Sequence, residues 1–262
     1  MAGIGYPVGG DLAAALAALA PPAPGWSRLL LVRHGETKSN KEKLLQGGGA
    51  DTPLNELGVA QSDELAAALA ASGAPIDRIA TSHLSRAIAT ADPIAALFPA
   101  ASRTVHAGLG EMLYGDIEGK PIAQMGPRMG EIAQSWRAGE TSVTVDSGPG
   151  ATERGESPDD LLARALAALG EVRRGVPEGG TLLVVAHSHL NKALLAALTG
   201  EGLARIHSMP QDNGCVNVID WRQGDEWQVR HVNLLVGGAE ASKDQANADR
   251  AVRAMKGKGA AL

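Results

Sequence analysis

The chain has 262 residues, with 24 Lys and Arg against 29 Asp and Glu, and a formal net charge of -5 at pH 7. That balance excludes the basic surface that non-specific nucleic-acid binding requires, and the length favours one large α/β domain over two small ones. Only 3% of residues are aromatic, so the core must be aliphatic, and a single cysteine, Cys215, excludes an internal disulfide and a cysteine-based metal cluster.

Residues 1–27 read as an N-terminal extension. Residues 12–20 are apolar but fall short of the ~20 that span a membrane. No Lys or Arg precedes Arg28, unlike a secretory or transit peptide. Asp11 is placed to cap a short helix ending before Pro21 and Pro22. Residues 29–32 form an apolar run typical of a buried parallel strand. It leads directly into Arg33, His34 and Gly35, past the carboxyl end of the strand, where open α/β sheets place their ligands.

The spacing of Leu and Ala predicts a helix over 55–71, with Gly73 after its end. A short strand over 76–81 and a helix over 84–97, closed by Pro99, follow. From 119 to 155 the pattern weakens into Gly, Pro, Met and scattered charge, an insertion suited to covering a site as a mobile lid. A helix over 158–174 opens on Pro158 with Asp159 and Asp160 in its first turn. Residues 181–186 are the clearest buried strand, with a helix over 190–198 behind it. Residues 216–220 and 227–233, joined by Arg222, Gln223, Gly224 and Asp225, read as a β-hairpin. The polar tail from 237 to 262 reads as a surface helix or a disordered segment. Strands alternating with helices favour a mainly parallel sheet.

Arg33 offers a planar fork of donors for phosphate oxygens. His34 can serve as nucleophile, base or metal ligand. His187 follows the 181–186 strand as His34 follows the first, and Arg86 opens a helix after another strand. Two guanidiniums and two imidazoles on one rim suit a phosphate dianion, and Glu111, on a loop, is a candidate general acid. His187 and His189 also allow a metal-pair reading, for which no third ligand is evident. His189 reads better as a helix-start residue, and His83, His106, His207 and His231 as structural or surface groups. The Gly47, Gly48, Gly49 run lacks the Gly-Lys-Ser/Thr of a P-loop and reads as a flexible bend. Arg128, Arg137 and Arg154 read as solvated charge, and Cys215 as a small apolar strand residue.

Residues 31–37 (Leu-Val-Arg-His-Gly-Glu-Thr) resemble the signature of the histidine phosphatase superfamily, the phosphoglycerate mutase-like fold. Asn40, Gln46, Gly47 and Asp51, residues 53–58, Arg86 with Thr90, Glu111 with Tyr114, Gly115 and Glu118, Glu156 with Arg164, and His187 continue the likeness in family order. The resemblance implies a three-layer α/β/α domain over 28–236 with a mainly parallel central sheet and helices on both faces. It implies a phosphohistidine on His34, Glu111 as general acid and base, and a phosphate clamp of Arg33, Arg86, His187 and Asn40. Gln46, Gly47 and Ser188 join the phosphate-binding set. No metal and no cofactor are implied.

Two departures stand out. Ser188 replaces the usual glycine after the second histidine. An extra residue follows Gln46, a spacing that resembles fructose-2,6-bisphosphatase members. Gln211, Asp212, Asn213, Gly214 and Cys215 are instead similar to small sugar-phosphate phosphatases. The expected function is a metal-independent cytoplasmic phosphatase acting on a small phosphorylated metabolite, with neither nucleic acid nor membrane as partner. A plastid or other organelle is the alternative location if a targeting peptide has been removed. The alternative activities are a phosphoglycerate mutase using the same His34 and a catalytically inactive interaction module. Oligomeric state is not legible.

Overall fold

The computed structural model of the protein describes residues 6–124, 126–146, 151–222 and 225–238. At its centre, β1 (Trp26–Arg33) is buried from Ser27 onward. Leu29 and Leu31 enter one hydrophobic core, and Leu30 and Val32 enter the other. The neighbouring β4 (Thr181–Ala186) divides in the same way, with Leu182 and Val184 on one side and Leu183 and Val185 on the other. A strand covered on both faces has no polar face, so both sequences run apolar without alternation.

β1 and β4 pair in parallel, with Arg33 opposite Ala186. β2 (Arg78–Thr81) continues in parallel beside β4, and β3 (Ser102–Val105) beside β2. On the other flank β5 (Val216–Arg222) and β6 (Glu226–Leu234) add antiparallel, giving the order β3-β2-β4-β1-β5-β6. The hairpin therefore forms as expected, although Gln223 and Gly224 in its turn lie outside the described residues. β3 is an edge strand of largely exposed residues, so it leaves no apolar signal in the sequence.

One face of the sheet carries α1 (Leu12–Ala18), α3 (Glu56–Ala71) and α4 (Ser85–Leu97), and the other carries α5 (Gly126–Arg137), α6 (Pro158–Val172) and α7 (Ser188–Leu198). The result is a three-layer α/β/α arrangement. A one-turn α2 (Lys38–Lys41) follows β1. The helix starts are capped as their sequences suggest: Asp11 accepts from the Ala14 N–H, Asn55 from Gly58, and Ser157 with Asp160 forms a capping box. Each such cap contributes about 1 kcal/mol.

The 119–155 stretch is more deeply anchored than a lid. α5 places Ile132 and Trp136 in the core, each 1% exposed, and Val145 is buried beside them. The Trp136 indole donates to the Val143 carbonyl at 2.7 Å and stacks on His207 with ring centroids 5.5 Å apart. Burying so large a ring fixes this segment to the domain. Residues 125 and 147–150, and the tail from 239, lie outside the described residues.

At the opposite end, residues 7–12 lie along the outer edge of β6. Gly9 N–H donates to Val232 O and Val232 N–H to Pro7 O, while Leu12 N–H donates to Leu235 O and Leu235 N–H to Gly10 O. Among the described residues no helix is long and apolar enough to cross a membrane.

Candidate active site

The parallel pairing of β1 with β4 brings His34 and His187 to the same end of the sheet, because each follows the last residue of its strand. Their ring centroids are 5.2 Å apart at an interplanar angle of 58°. His34 Nδ1 lies 2.7 Å from the carbonyl of Gly35. A carbonyl can only accept, so Nδ1 carries the proton and Nε2 keeps its lone pair. Burial, reinforced by the charges of Arg33 and then Arg86, holds the His34 pKa well below the usual histidine value. The ring is therefore neutral at physiological pH.

The two arginines reach the site by different routes. Arg33 is the last residue of β1 and donates to the Gln211 carbonyl. Arg86 lies in the first turn of α4 and donates to Gly47 O at 3.1 Å and Ala50 O at 2.8 Å. The N-cap position of α4, Leu84, supplies no side-chain cap, and Asp51 takes that task, accepting from Ser85 N–H and Ser85 Oγ. The Asp51 carboxylate also lies 3.7 Å from Arg86 Nη1. Thr90, one turn on, accepts from Gly35 N–H at 3.0 Å and ties α4 to the residue after His34. Burial lowers the pKa of both guanidiniums, and the negative charge of Glu111 acts against that shift.

His187 is fully buried, and neither ring nitrogen has a hydrogen-bond partner; the Nε atoms of Arg33 and Arg86 are also buried without one. Burial and the positive charge of Arg86 hold the His187 pKa well below its usual value. His187 and His189 do not form a pair. His187 is extended (φ -135°, ψ 169°) and the chain turns helical at Ser188, so strand alternation stops there. His189 Nδ1 instead meets the Tyr114 hydroxyl at 2.7 Å. Among the described residues no group of three or more His, Cys, Asp or Glu is arranged to hold a metal ion.

Glu111 is 5% exposed. Its carboxylate accepts from the backbone N–H of His189 at 3.1 Å and Leu190 at 3.2 Å, in the first turn of α7, and from Met112 at 2.8 Å. Orphan N–H groups at a helix start favour such an acceptor, and Ser188 stands in the same turn. Arg164 anchors the loop from beneath, donating to the carbonyls of Gly108, Gly110 and Glu111 while its fork grips both oxygens of Glu156.

The glycine run is a close-packed contact, which corrects the reading of a flexible bend. A Cβ on Gly47 would lie 2.1 Å from Glu118 Oε1, and one on Gly48 would lie 2.6 Å from Glu111 O. Side chains at these positions would push the acid loop away. Gln46 is tied to Thr37 Oγ1 at 2.7 Å and to the Thr52 carbonyl at 3.3 Å. Asn40 Oδ1 accepts from Thr37 N–H at 3.2 Å.

A buried amide cluster supports the site, and three of its members, Asn191, Asn217 and Asn233, carry no signal in the sequence. Gln211, Asn217, Asn191 and Asn233 bond one another beneath Arg33, and Asn213 contacts the His34 loop directly. The cluster's members come from α7, a loop, β5 and β6, so no periodicity marks them, and only the family likeness over residues 211–215 points here. Cys215 is buried, and burial pushes its thiol pKa up to about 12, as fits a small core residue.

A mycobacterial glucosyl-3-phosphoglycerate phosphatase superposes with a TM-score of 0.66 at 28% identity, covering 79% of this chain and 99% of that one. The bifunctional protein Rv2228c of Mycobacterium tuberculosis is 33% identical over 230 residues, 85% of this chain and 60% of its own length. The chain thus spans 60% of the length of that relative. A 2,3-bisphosphoglycerate-dependent phosphoglycerate mutase of a Bradyrhizobium strain is 35% identical over 184 residues, 68% of this chain and 84% of the relative. The sequence model of the histidine phosphatase superfamily (branch 1) matches residues 29–235, from the first strand to the last, and this chain belongs to that superfamily.

Proposed function

We propose that the protein is a metal-independent phosphatase that hydrolyses a small phosphomonoester through a phosphohistidine on His34. One observation carries the reading. Around a neutral His34, the Nε atoms of Arg33 and Arg86 and both ring nitrogens of His187 are buried without partners. Buried polar groups are almost always satisfied, and phosphoryl oxygens would accept from the two guanidinium Nε–H groups and from the one ring N–H of a neutral His187. In the first step Nε2 attacks phosphorus in line, the P–N bond forms, and the P–O bond to the leaving group breaks as protonated Glu111 gives that oxygen its proton. In the second step Glu111 takes a proton from water, whose oxygen displaces His34 and releases inorganic phosphate.

Arg33, Arg86, His187 and the Asn40 amide hold the equatorial oxygens, whose charge the guanidiniums offset. Gln46, Gly47 and Ser188 serve the same phosphate site, the first two by holding Arg86 and the loop around it. With two guanidiniums supplying the positive charge, activity should survive dialysis against EDTA. Cytoplasmic residence suits a chain whose only thiol is buried.

The test is a phosphate-release screen over sugar phosphates, phosphoglycerates, nucleotides and a phosphotyrosine peptide, with acid-labile radiolabelled phosphoenzyme trapped by rapid quench. Release of phosphate with label on wild type and none on His34→Ala supports the reading. Conversion of 3- to 2-phosphoglycerate dependent on 2,3-bisphosphoglycerate would replace it with the mutase reading, which the Bradyrhizobium relative motivates.

A further inference from the structure

We infer that Asn213 is a positioning residue that sets the orientation of both His34 and Asn40. This rests on the phosphohistidine reading of His34. Asn213 is 8% exposed, and its Nδ2 lies 3.1 Å from His34 O, 3.3 Å from Gly35 O and 3.1 Å from Asn40 Oδ1. The two backbone carbonyls are acceptors only, so the atom facing them is the amide nitrogen. The Asn40 atom facing that nitrogen must in turn be an oxygen. Thr37 N–H, also a pure donor, makes the same demand on Asn40 Oδ1. The Asn40 amide is therefore turned one way only, with Nδ2 directed away from these donors and available to a phosphoryl oxygen.

The contact with Gly35 acts on the nucleophile. Gly35 O is the acceptor that keeps the His34 proton on Nδ1, and Asn213 helps to fix the direction of that carbonyl. The Asn213 backbone region is fixed independently. Gly214 N–H donates to Arg33 O at 3.1 Å and His34 O at 3.2 Å, and Arg33 N–H donates to Cys215 O at 3.0 Å. One buried amide thus couples the tautomer of the attacking ring to the donor orientation of the clamp. It does so without touching substrate.

The test compares Asn213→Ala and Asn213→Asp with wild type in turnover and in histidine nitrogen NMR of the substrate-free protein. Asn213→Ala should lower kcat by about 10- to 100-fold, the range for partners that orient a contact residue, with a smaller change in KM. The His34 ring should move from a single Nδ1–H tautomer toward a mixture. Asn213→Asp presents oxygens to three acceptors and should lower kcat further. If it fails to fold, Asn213→Ser, which keeps a hydroxyl donor, should recover part of the alanine loss.

A folded Asn213→Ala with kcat unchanged and the His34 tautomer intact overturns the inference. Lowered stability with the tautomer and kcat intact also overturns it, by reducing Asn213 to a scaffold residue. The NMR arm needs no substrate, so it tests the inference even if wild type releases no phosphate, the outcome that would sink the phosphatase reading instead.

Discussion

The two halves of the site are built by different means. His34, Arg33 and His187 stand at the ends of paired strands, where the sheet itself sets their spacing. Glu111 stands on an irregular loop whose place is set by side chains reaching its backbone: Arg164 from below, Glu156 at the Leu113 N–H, and Glu118 at the Tyr114 N–H. The strand-end half inherits its precision from a core buried on both faces. The loop half depends on individual hydrogen bonds, and single substitutions there should separate catalysis from folding.

The largest effect should come from comparing the two chemical groups directly. His34→Ala should lose phosphate release by about 10000-fold or more on every substrate, because no other group forms the P–N bond. Glu111→Gln should lose about 100- to 10000-fold on alkyl phosphates. It should recover most of that in the first step with p-nitrophenyl phosphate, whose leaving group needs no proton. Rapid-quench kinetics of the first step on the two substrate types measure the difference, and equal losses in that step would mean that Glu111 is not the acid.

Next comes Arg164→Ala, which removes five hydrogen bonds, three of them to the loop backbone. It should lower stability by about 2–3 kcal/mol and kcat by about 10- to 100-fold, as read by urea denaturation and steady-state kinetics. Gly48→Ala should be milder in turnover, about 10-fold, with a stability loss of about 1–3 kcal/mol from overpacking against Glu111 O. Gly58→Ala, whose Cβ would lie 2.0 Å from Glu36 O, strains the strand-end half in the same way.

The last effect is one of pH, and it leaves turnover aside. His34 and His187 have pKa values held well below 6.5 in the fold, whereas the unfolded chain takes up protons near that value. Below it the unfolded state binds more protons, so stability should fall as pH drops from about 7 toward 5, by up to about 1.4 kcal/mol per pH unit per histidine. Above it this contribution is fully present. Denaturation midpoints across that range should fall less steeply in His187→Asn, with His34 and His189 still contributing.

How much of this was legible in the sequence follows the same division. The strand-end half was readable because apolar runs such as 29–32 and 181–186 stop abruptly at charged or aromatic groups. Asp51 and Thr90 were noticed only through family likeness. Their tasks, capping α4 and holding Gly35, depend on contacts between segments distant in the chain. α5 escaped notice because Gly126, Pro127, Met129 and Gly130 blur its start, although Ile132 and Trp136 at helical spacing were its buried face. The metal-pair reading of His187 and His189 failed for a local reason: the backbone changes from extended to helical between them.

The strip of chain at 7–12 has a consequence for the molecule in solution. It satisfies four backbone groups on Val232 and Leu235 along the outer edge of β6, where Val232 and Leu234 are themselves buried. A protein trimmed past residue 12 would present an apolar strand with open donors and acceptors, the template on which a second copy adds its own strand. The N-terminal extension thus covers the open edge of the sheet. A tag or fusion placed there would have to leave it free to lie down.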